Sequence, residues 1–467
     1  MTAGGQLTAR LDLLPWGRFH TVVMGALSLG WALDAFETTI IGSILGQISK
    51  VWKLSATQGS ALVSSWVLGI FVGAIVFGHY SDRTGRKKMF IFTLVWYAAF
   101  SVITAFSWSF STLLAFRFLA ALGVGGEYSA VTAAMVEFIP QKHRGKASAL
   151  ILAAASVGSI LSSGFAAYFL NHFPADVGWR LGFGAGAVLA VAGVWVRYAI
   201  PESPRWLAAH GRIAEADQIV RAVEDSLRAA RASVILVSPD PQPGAASTNE
   251  PGSQPHSFWG GVRELLSRYL ARLTLACALN FAQSSVIYGM MATLSLIILP
   301  TVKVAPERMP AFYFVGNCAA LGGGLLAALL IDTLGRKGTV LLGYTMTTLG
   351  VLYLCLANTH LTVAAGYSVV MFSVVWATNA AYVVTSEILP VRNRATGLGL
   401  AVAAGRIGAF GAPLLLSLIY EHSHRPGLAL LALAVLSLPG PAAALVWCFK
   451  GTEGSNRSLE EIAREVV

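Results

Sequence analysis

Gly78-His79-Tyr80-Ser81-Asp82-Arg83-Thr84-Gly85-Arg86-Lys87-Lys88 and Ile331-Asp332-Thr333-Leu334-Gly335-Arg336-Lys337 are two versions of one short sequence. Asp82 and Asp332 stand 250 positions apart (332 − 82), as do Glu137 and Glu387, and Arg144 and Arg394. Two charged signatures, Asp-x-x-Gly-Arg-Lys and Glu-Phe/Ile-x-Pro with its following Arg, therefore share one register, which describes a tandem duplication. The chain of 467 residues is 55% apolar and only 12% charged, about half the charged fraction of soluble domains. It reads as a membrane protein.

A span needs about 20 apolar residues, and each half supplies six. In the first half they run Phe19 to Leu45, Gln58 to Tyr80, Met89 to Trp108, Leu113 to Phe138, Ala147 to Leu170 and Trp179 to Ile200. In the second they run Tyr269 to Leu299, Pro310 to Ile331, Thr339 to Ala357, Val363 to Glu387, Thr396 to Tyr420 and Leu428 to Phe449. The predicted fold is all-α, with twelve transmembrane helices in two six-helix pseudo-repeats. The domain division is 1–200, an N-terminal bundle; 201–268, a linker; 269–450, a C-terminal bundle; and 451–467, a tail.

The net charge of +10 sits in short clusters between apolar runs, so it reports membrane orientation rather than a nucleic-acid partner. Basic joins follow spans 2, 4, 8 and 10, which places both termini in the cytoplasm. An even number of spans per repeat makes the halves parallel, with a cavity between them. Within the linker, Ile213 to Ala232 has helical apolar spacing and is expected to lie on the cytoplasmic face; Pro239 to Ser257 is expected to be disordered. The first eighteen residues carry Arg10, Asp12 and Arg18 and lack a cleavable leader pattern, so the first span is expected to stay as a helix. Four cysteines, all inside apolar runs, read as free thiols.

No phosphate loop, H-E-x-x-H or metal-spaced Cys/His cluster is present, and an enzyme, a cofactor and a resident metal are not expected. Gly123-Val124-Gly125-Gly126 follows no strand and reads as helix packing. The informative residues are charges within spans, which are costly unless they face protein or water: Asp34 and Glu37 in span 1, Arg117 and Glu127 in span 4, and Arg406 in span 11. At a rise of about 1.5 Å per residue, Asp34 and Arg117 fall at one level, so Arg117 is expected to pair with the acidic pair of span 1. Two roles stand open: a static buried salt bridge, or a carboxylate poised to exchange a proton. Arg406, about 15 Å into its span, is either the receptor for an anionic substrate or the partner of Glu37 or Glu127 across the repeats. Its flanking Gly405 and Gly408 are expected to give the guanidinium room. Asn280, Gln283, Ser284 and Tyr288 in span 7, and Trp376, Asn379 and Tyr382 in span 10, are candidate substrate contacts. Asp82, Arg83, Arg86, Glu137, Arg144, Asp332, Arg336, Glu387 and Arg394 are candidate gate residues, with Asp82 capping a neighbouring helix; the alternative is charge that only sets topology.

These residues resemble a family. Gly78 to Lys88 is similar to the G-x-x-x-D-R-x-G-R-R/K loop of the major facilitator superfamily, and Asp332 to Lys337 to its second copy, with Thr333 in place of the first arginine. Arg117 to Glu127, Glu137 to Gly145 and Pro201-Glu-Ser-Pro-Arg-Trp-Leu207 resemble the sugar-porter and organic-ion branch. Gly30-Trp-Ala-Leu-Asp34-Ala-Phe-Glu37 and Gly405-Arg406-Ile-Gly-Ala-Phe-Gly-Ala-Pro413 are similar to bacterial niacin permeases, relatives of synaptic vesicle glycoprotein 2 and organic anion transporters. Span 7 departs from the Q-x-x-G-x-N run usual in sugar porters. The resemblance implies alternating access and proton-coupled import of a small aromatic monocarboxylate such as nicotinate, by a monomer in a bacterial inner membrane. A sugar or polyol importer of the same fold is the alternative, and a ligand sensor signalling through the linker is a third.

Overall fold

The computed structural model describes residues 7, 10, 14–139, 144–198, 201–230, 258–331, 333–390 and 393–450. Asp332 and the expected disordered stretch lie outside them, as do the side chains of Asp82, Arg86, Glu137 and Arg144. The described residues are almost wholly helical. In the first half α1 (Arg18–Trp52), α2 (Ala56–Thr84), α3 (Arg86–Ala105), α4 (Phe110–Phe138), α5 (Arg144–His172) and α6 (Ala175–Tyr198) correspond to the six expected spans. Three shorter helices follow, α7 (Pro204–Ala209), α8 (Ile213–Ala230) and α9 (Phe258–Arg268). The second half holds α10 (Leu270–Thr293), α11 (Met309–Leu330), α12 (Gly335–Leu354), α13 (His360–Ile388) and α14 (Arg394–Ser423), with a last span broken at Pro439 into α15 (Pro426–Ser437) and α16 (Pro439–Lys450). Among the described residues ten segments are long and apolar enough to cross a membrane; α6 and α12, of 24 and 20 residues, have the length to do so. Large apolar side chains such as Val188, Leu329 and Leu356 cover the outer wall, as a lipid-facing surface requires.

The duplication is written into the backbone. Lys53 and Lys303, 250 apart, both close the turn after their span in the left-handed region, at φ 50° and 58°. Gly85 and Gly335, again 250 apart, have φ 104° and 75°, which only glycine adopts without a Cβ clash. Span 4 opens on a capping box between Ser109 and Thr112, and span 10 on one between Thr359 and Thr362, at the same offset; each satisfies backbone donors that a helix start leaves bare. Packing repeats too: α1 lies on α5 as α10 on α14, and α2 on α4 as α11 on α13. The halves meet along α2 against α14 and α5 against α11.

The end of the bundle that carries the basic loops is built differently from the opposite end. At the basic-loop end the Glu202 carboxylate accepts from the Lys87 backbone N–H at 3.2 Å, so it caps the start of α3, and Trp206 packs beside Gly85. Arg336 pairs with Glu387 of its own half at 3.2 Å; Arg83 is exposed and Arg394 is partly buried. The buried stripe of α8, Ala216, Val220, Val223 and Leu227, packs on Trp206 and Leu207, with Leu7 and Leu14 of the N-terminal segment completing the cluster. Arg10 fastens that segment, donating to Asp217 at 2.7 Å and to both oxygens of Glu224 at 2.9 and 3.0 Å. Arg10 thereby holds the Asp217 carboxyl below the usual aspartate range, chiefly through its hydrogen bond.

At the opposite end the halves are bonded to each other. Glu421 on α14 accepts from the Thr57 N–H at 2.8 Å and hydroxyl at 2.7 Å, so the first turn of α2 is capped by a carboxylate from the other half. Ser60 bonds Ser417, Ser64 donates to the Phe410 carbonyl at 2.8 Å, and Lys50 meets Glu307 at 3.4 Å. Pro300 lacks an N–H and so leaves the Leu296 carbonyl without its helical donor; the chain widens into a π-turn over Leu294–Ile298. Ser295 of that turn donates to the Gly42 carbonyl of α1 at 2.8 Å.

Candidate functional site

A cavity of about 310 Å³ lies between the halves. Of the expected substrate contacts, Asn280, Gln283, Ser284, Tyr288, Asn379, Tyr382 and Arg406 line it. Trp376 does not: it is buried in α13, edge-on to Phe372 at 5.9 Å. Trp31, Tyr313, Tyr367 and Asn317 also line the cavity; Trp31 lies in the Gly30–Glu37 motif without having been singled out there, and Tyr313, Asn317 and Tyr367 stand in apolar runs whose aromatic and small polar groups ordinarily pack helices.

The duplication explains how the lining is composed. Asp34 and Ser284 are repeat equivalents (284 − 34 = 250), and so are Ser156 and Arg406, Thr38 and Tyr288, and Ile70 and Ala320; all eight line the cavity. One half contributes the acid where the other has serine, and the other contributes the cation where the first has serine. Asp34 and Arg406 thus face a single space from opposite halves, and both act electrostatically on the Tyr288 hydroxyl. Gly405 and Gly408 are not clearance for the guanidinium, as their flanking positions suggested. Cβ atoms there would press on Ser284 and the Asn280 carbonyl, and on Ser285 and the Phe281 carbonyl, so these glycines let α14 lie close against α10. The polar wall is held in place by Tyr344, whose hydroxyl donates to the Leu279 carbonyl at 2.9 Å, and by Gln283, whose amide donates to Asn280 Oδ1 at 3.2 Å.

A second charged site lies within the first half. Arg117 donates to Glu37 Oε2 at 2.8 Å and to the Glu37 carbonyl at 3.2 Å, and neither side chain has any exposure. The Arg117 guanidinium lies 3.8 Å from the Trp66 ring centre and 4.6 Å from that of Phe183, a pair of cation–π contacts in a fully buried surrounding. Gly186 makes room for the acid, since a Cβ there would collide with the Glu37 carboxylate, and the Tyr97 hydroxyl stands alongside. Trp66 is the partition: its indole N–H donates to Thr38 at 3.2 Å, and Thr38 lines the cavity on the other side. The acidic pair of span 1 is therefore split, with Glu37 on Arg117 and Asp34 on the cavity. Glu127 is buried further along α4 and is not part of the cavity wall. The nearby glycines pack helices: Gly125 lies on the Ile70 carbonyl of α2, and Gly123 on the Thr93 carbonyl of α3.

Known proteins agree with this architecture. Residues 22–466 match the family model of the Sugar (and other) transporter family. The niacin transporter NiaP of Acinetobacter baylyi is 28% identical over 98% of this chain and 99% of its own length. The inner membrane metabolite transport protein YdjE of Escherichia coli is 28% identical over 98% of both chains. An inward-open structure of the xylose transporter XylE from E. coli superposes with a TM-score of 0.70 at 19% identity, covering 95% of this chain and 99% of that one. The chain belongs to the Sugar (and other) transporter family, a multi-pass branch of the major facilitator superfamily.

Proposed function

We propose that the protein is a secondary active importer that takes a small aromatic monocarboxylate, of which nicotinate is the leading case, together with a proton. The observation that carries this reading is the placement of Arg406 on a cavity with aromatic walls formed by Trp31, Tyr288, Tyr313, Tyr367 and Tyr382. A guanidinium in low dielectric holds a carboxylate by two parallel charge-assisted bonds, while the rings accept a flat apolar body. The niacin transporter similarity over nearly the full length supports the same substrate class. With the basic loops on the cytoplasmic side of a bacterial inner membrane, the bonded end is the outer one, and the cavity is in an inward-facing arrangement. The cluster of Asn280, Gln283, Ser284, Thr378 and Asn379 on the cavity favours a polyhydroxy substrate as the second reading.

Uptake into proteoliposomes separates the two. Under an inward proton gradient, labelled nicotinate is expected to accumulate and xylose is not. Arg406→Lys lowers nicotinate affinity about tenfold, and Arg406→Ala lowers it about ten- to hundredfold, because an ammonium cannot present the planar fork. Nicotinamide, which has no charge, is nearly indifferent to both changes. Accumulation of xylose, or equal loss of acid and amide in Arg406→Ala, replaces the carboxylate reading with the sugar one.

A further inference from the structure

We infer that Asp34, and not Glu37, is the carboxylate that exchanges the proton, and that it couples proton to substrate by contending with the substrate's carboxylate for Arg406 and Tyr288. This rests on the carboxylate reading of the cavity given above. Three features carry it. Asp34 and Arg406 face one cavity from opposite halves, and both bear on the same tyrosine hydroxyl. Glu37 already has a cationic partner of its own, closed off by Trp66, Phe183 and the Gly186 contact. Asp34 stands where the second half has Ser284, and Arg406 stands where the first half has Ser156, so each half adds one charge of opposite sign that its repeat partner does not carry.

The other ionisable groups on the cavity are Tyr288 of α10, Tyr313 of α11, and Tyr367 and Tyr382 of α13. α5 presents Ala155, Ser156 and Ser159 and α2 presents Ile70, so among the described residues Asp34 is the one carboxylate that the lining shows to the cation. With the cavity empty, ionised Asp34 supplies the countercharge for Arg406. An arriving carboxylate would set two anions against one cation, and like charges at close range disfavour each other's ionised form. A proton taken up by Asp34 removes the conflict: the Asp34 carboxylate becomes the neutral acid, the substrate anion takes its place on the guanidinium, and the loaded cavity carries the same net charge as the empty one. Each transported monocarboxylate thereby moves with one proton. When the substrate leaves, Asp34 releases its proton and returns to Arg406. The substrate class follows: a ligand must bring one negative charge, and a neutral or dianionic analogue fails to balance the site.

The test is titration calorimetry of purified full-length protein with nicotinate, in buffers of different ionisation enthalpy and at several pH values. The wild type is expected to take up one proton per nicotinate, with affinity falling about tenfold per pH unit once Asp34 is ionised in the empty protein. Asp34→Asn, a cavity-facing change that leaves the Glu37–Arg117 pair untouched, is expected to bind nicotinate without proton uptake and with no pH dependence over that range. In proteoliposomes Asp34→Asn is expected to keep nicotinate counterflow and lose uphill accumulation. Proton uptake that persists in Asp34→Asn, or that disappears in folded Glu37→Gln with Asp34 intact, overturns the inference while leaving the substrate reading in place. Nicotinate that fails to bind the wild type at any pH removes the substrate reading and this inference with it.

Discussion

Two pairs of opposite charge lie within the helices of this protein, and they are built on opposite principles. Glu37 and Arg117 belong to one half, touch at 2.8 Å, and are walled by rings and a glycine so that neither is exposed. Asp34 and Arg406 belong to different halves and border open space. On the proposed rocking of one half against the other, only the second pair would change its surroundings, because both members of the first belong to one half. A Trp66 side chain separates the two.

The contrast is broken most forcefully by Arg117→Ala, which leaves Glu37 as an uncompensated buried charge and is expected to cost about 3–5 kcal/mol. The measurement is thermal unfolding of the purified protein, and Asp34→Asn should shift the midpoint little beside it. If the two variants unfolded alike, the division into a structural pair and a working pair would be wrong. Gly186→Ala comes next, at about 1–3 kcal/mol, the usual cost of overpacking; the Cβ presses on the Glu37 carboxylate, and stability should fall while the pH dependence of nicotinate binding stays as in the wild type. Glu421→Gln sharpens the comparison from the interface side. It weakens the cap on α2 by about 1 kcal/mol and should raise labelling of cysteines placed on the outer mouth without lowering the unfolding midpoint. The smallest effect is at the N-terminal clasp. Because Arg10 depresses the Asp217 carboxyl, its contribution is complete above the ordinary aspartate value of about 4 and is lost as pH falls through the depressed one. Hydrogen exchange in α8 should therefore speed up only in that acid range, and Arg10→Gln should shrink the pH step to the part that Arg221 supplies from 2.6 Å.

Much of the fold was legible in the sequence because the duplication left charged copies at a constant offset, and because long apolar runs admit few structures. The site was less legible, for a geometric reason. Asp34 and Glu37, three residues apart, differ by about 60° around a helix with 3.6 residues per turn, which looks like one face on paper. That angle is enough to put one side chain on the cavity and the other behind Trp66, since the boundary between core and cavity runs between them. Trp376, Asn379 and Tyr382 show the same effect, the first facing the core and the other two the cavity. The cap on α3 comes from Glu202, over a hundred positions away in the chain, a distance across which spacing carries no information. Tyr367 could have been found, because it occupies the position of Arg117 in the second repeat (367 − 117 = 250).

The cap that Glu421 places on α2 has a consequence for the energetics of opening. It joins the halves through hydroxyls, backbone donors and a carboxylate at the mouth of the protein, where bulk water lies within reach. On the proposed separation of the bundles there, water molecules would take over each bond almost one for one, because a water-mediated bond is enthalpically close to a direct one. This seal therefore behaves as an exchange of hydration rather than a weld. Two arrangements of the same molecule can then differ by little enough for a bound substrate to decide between them.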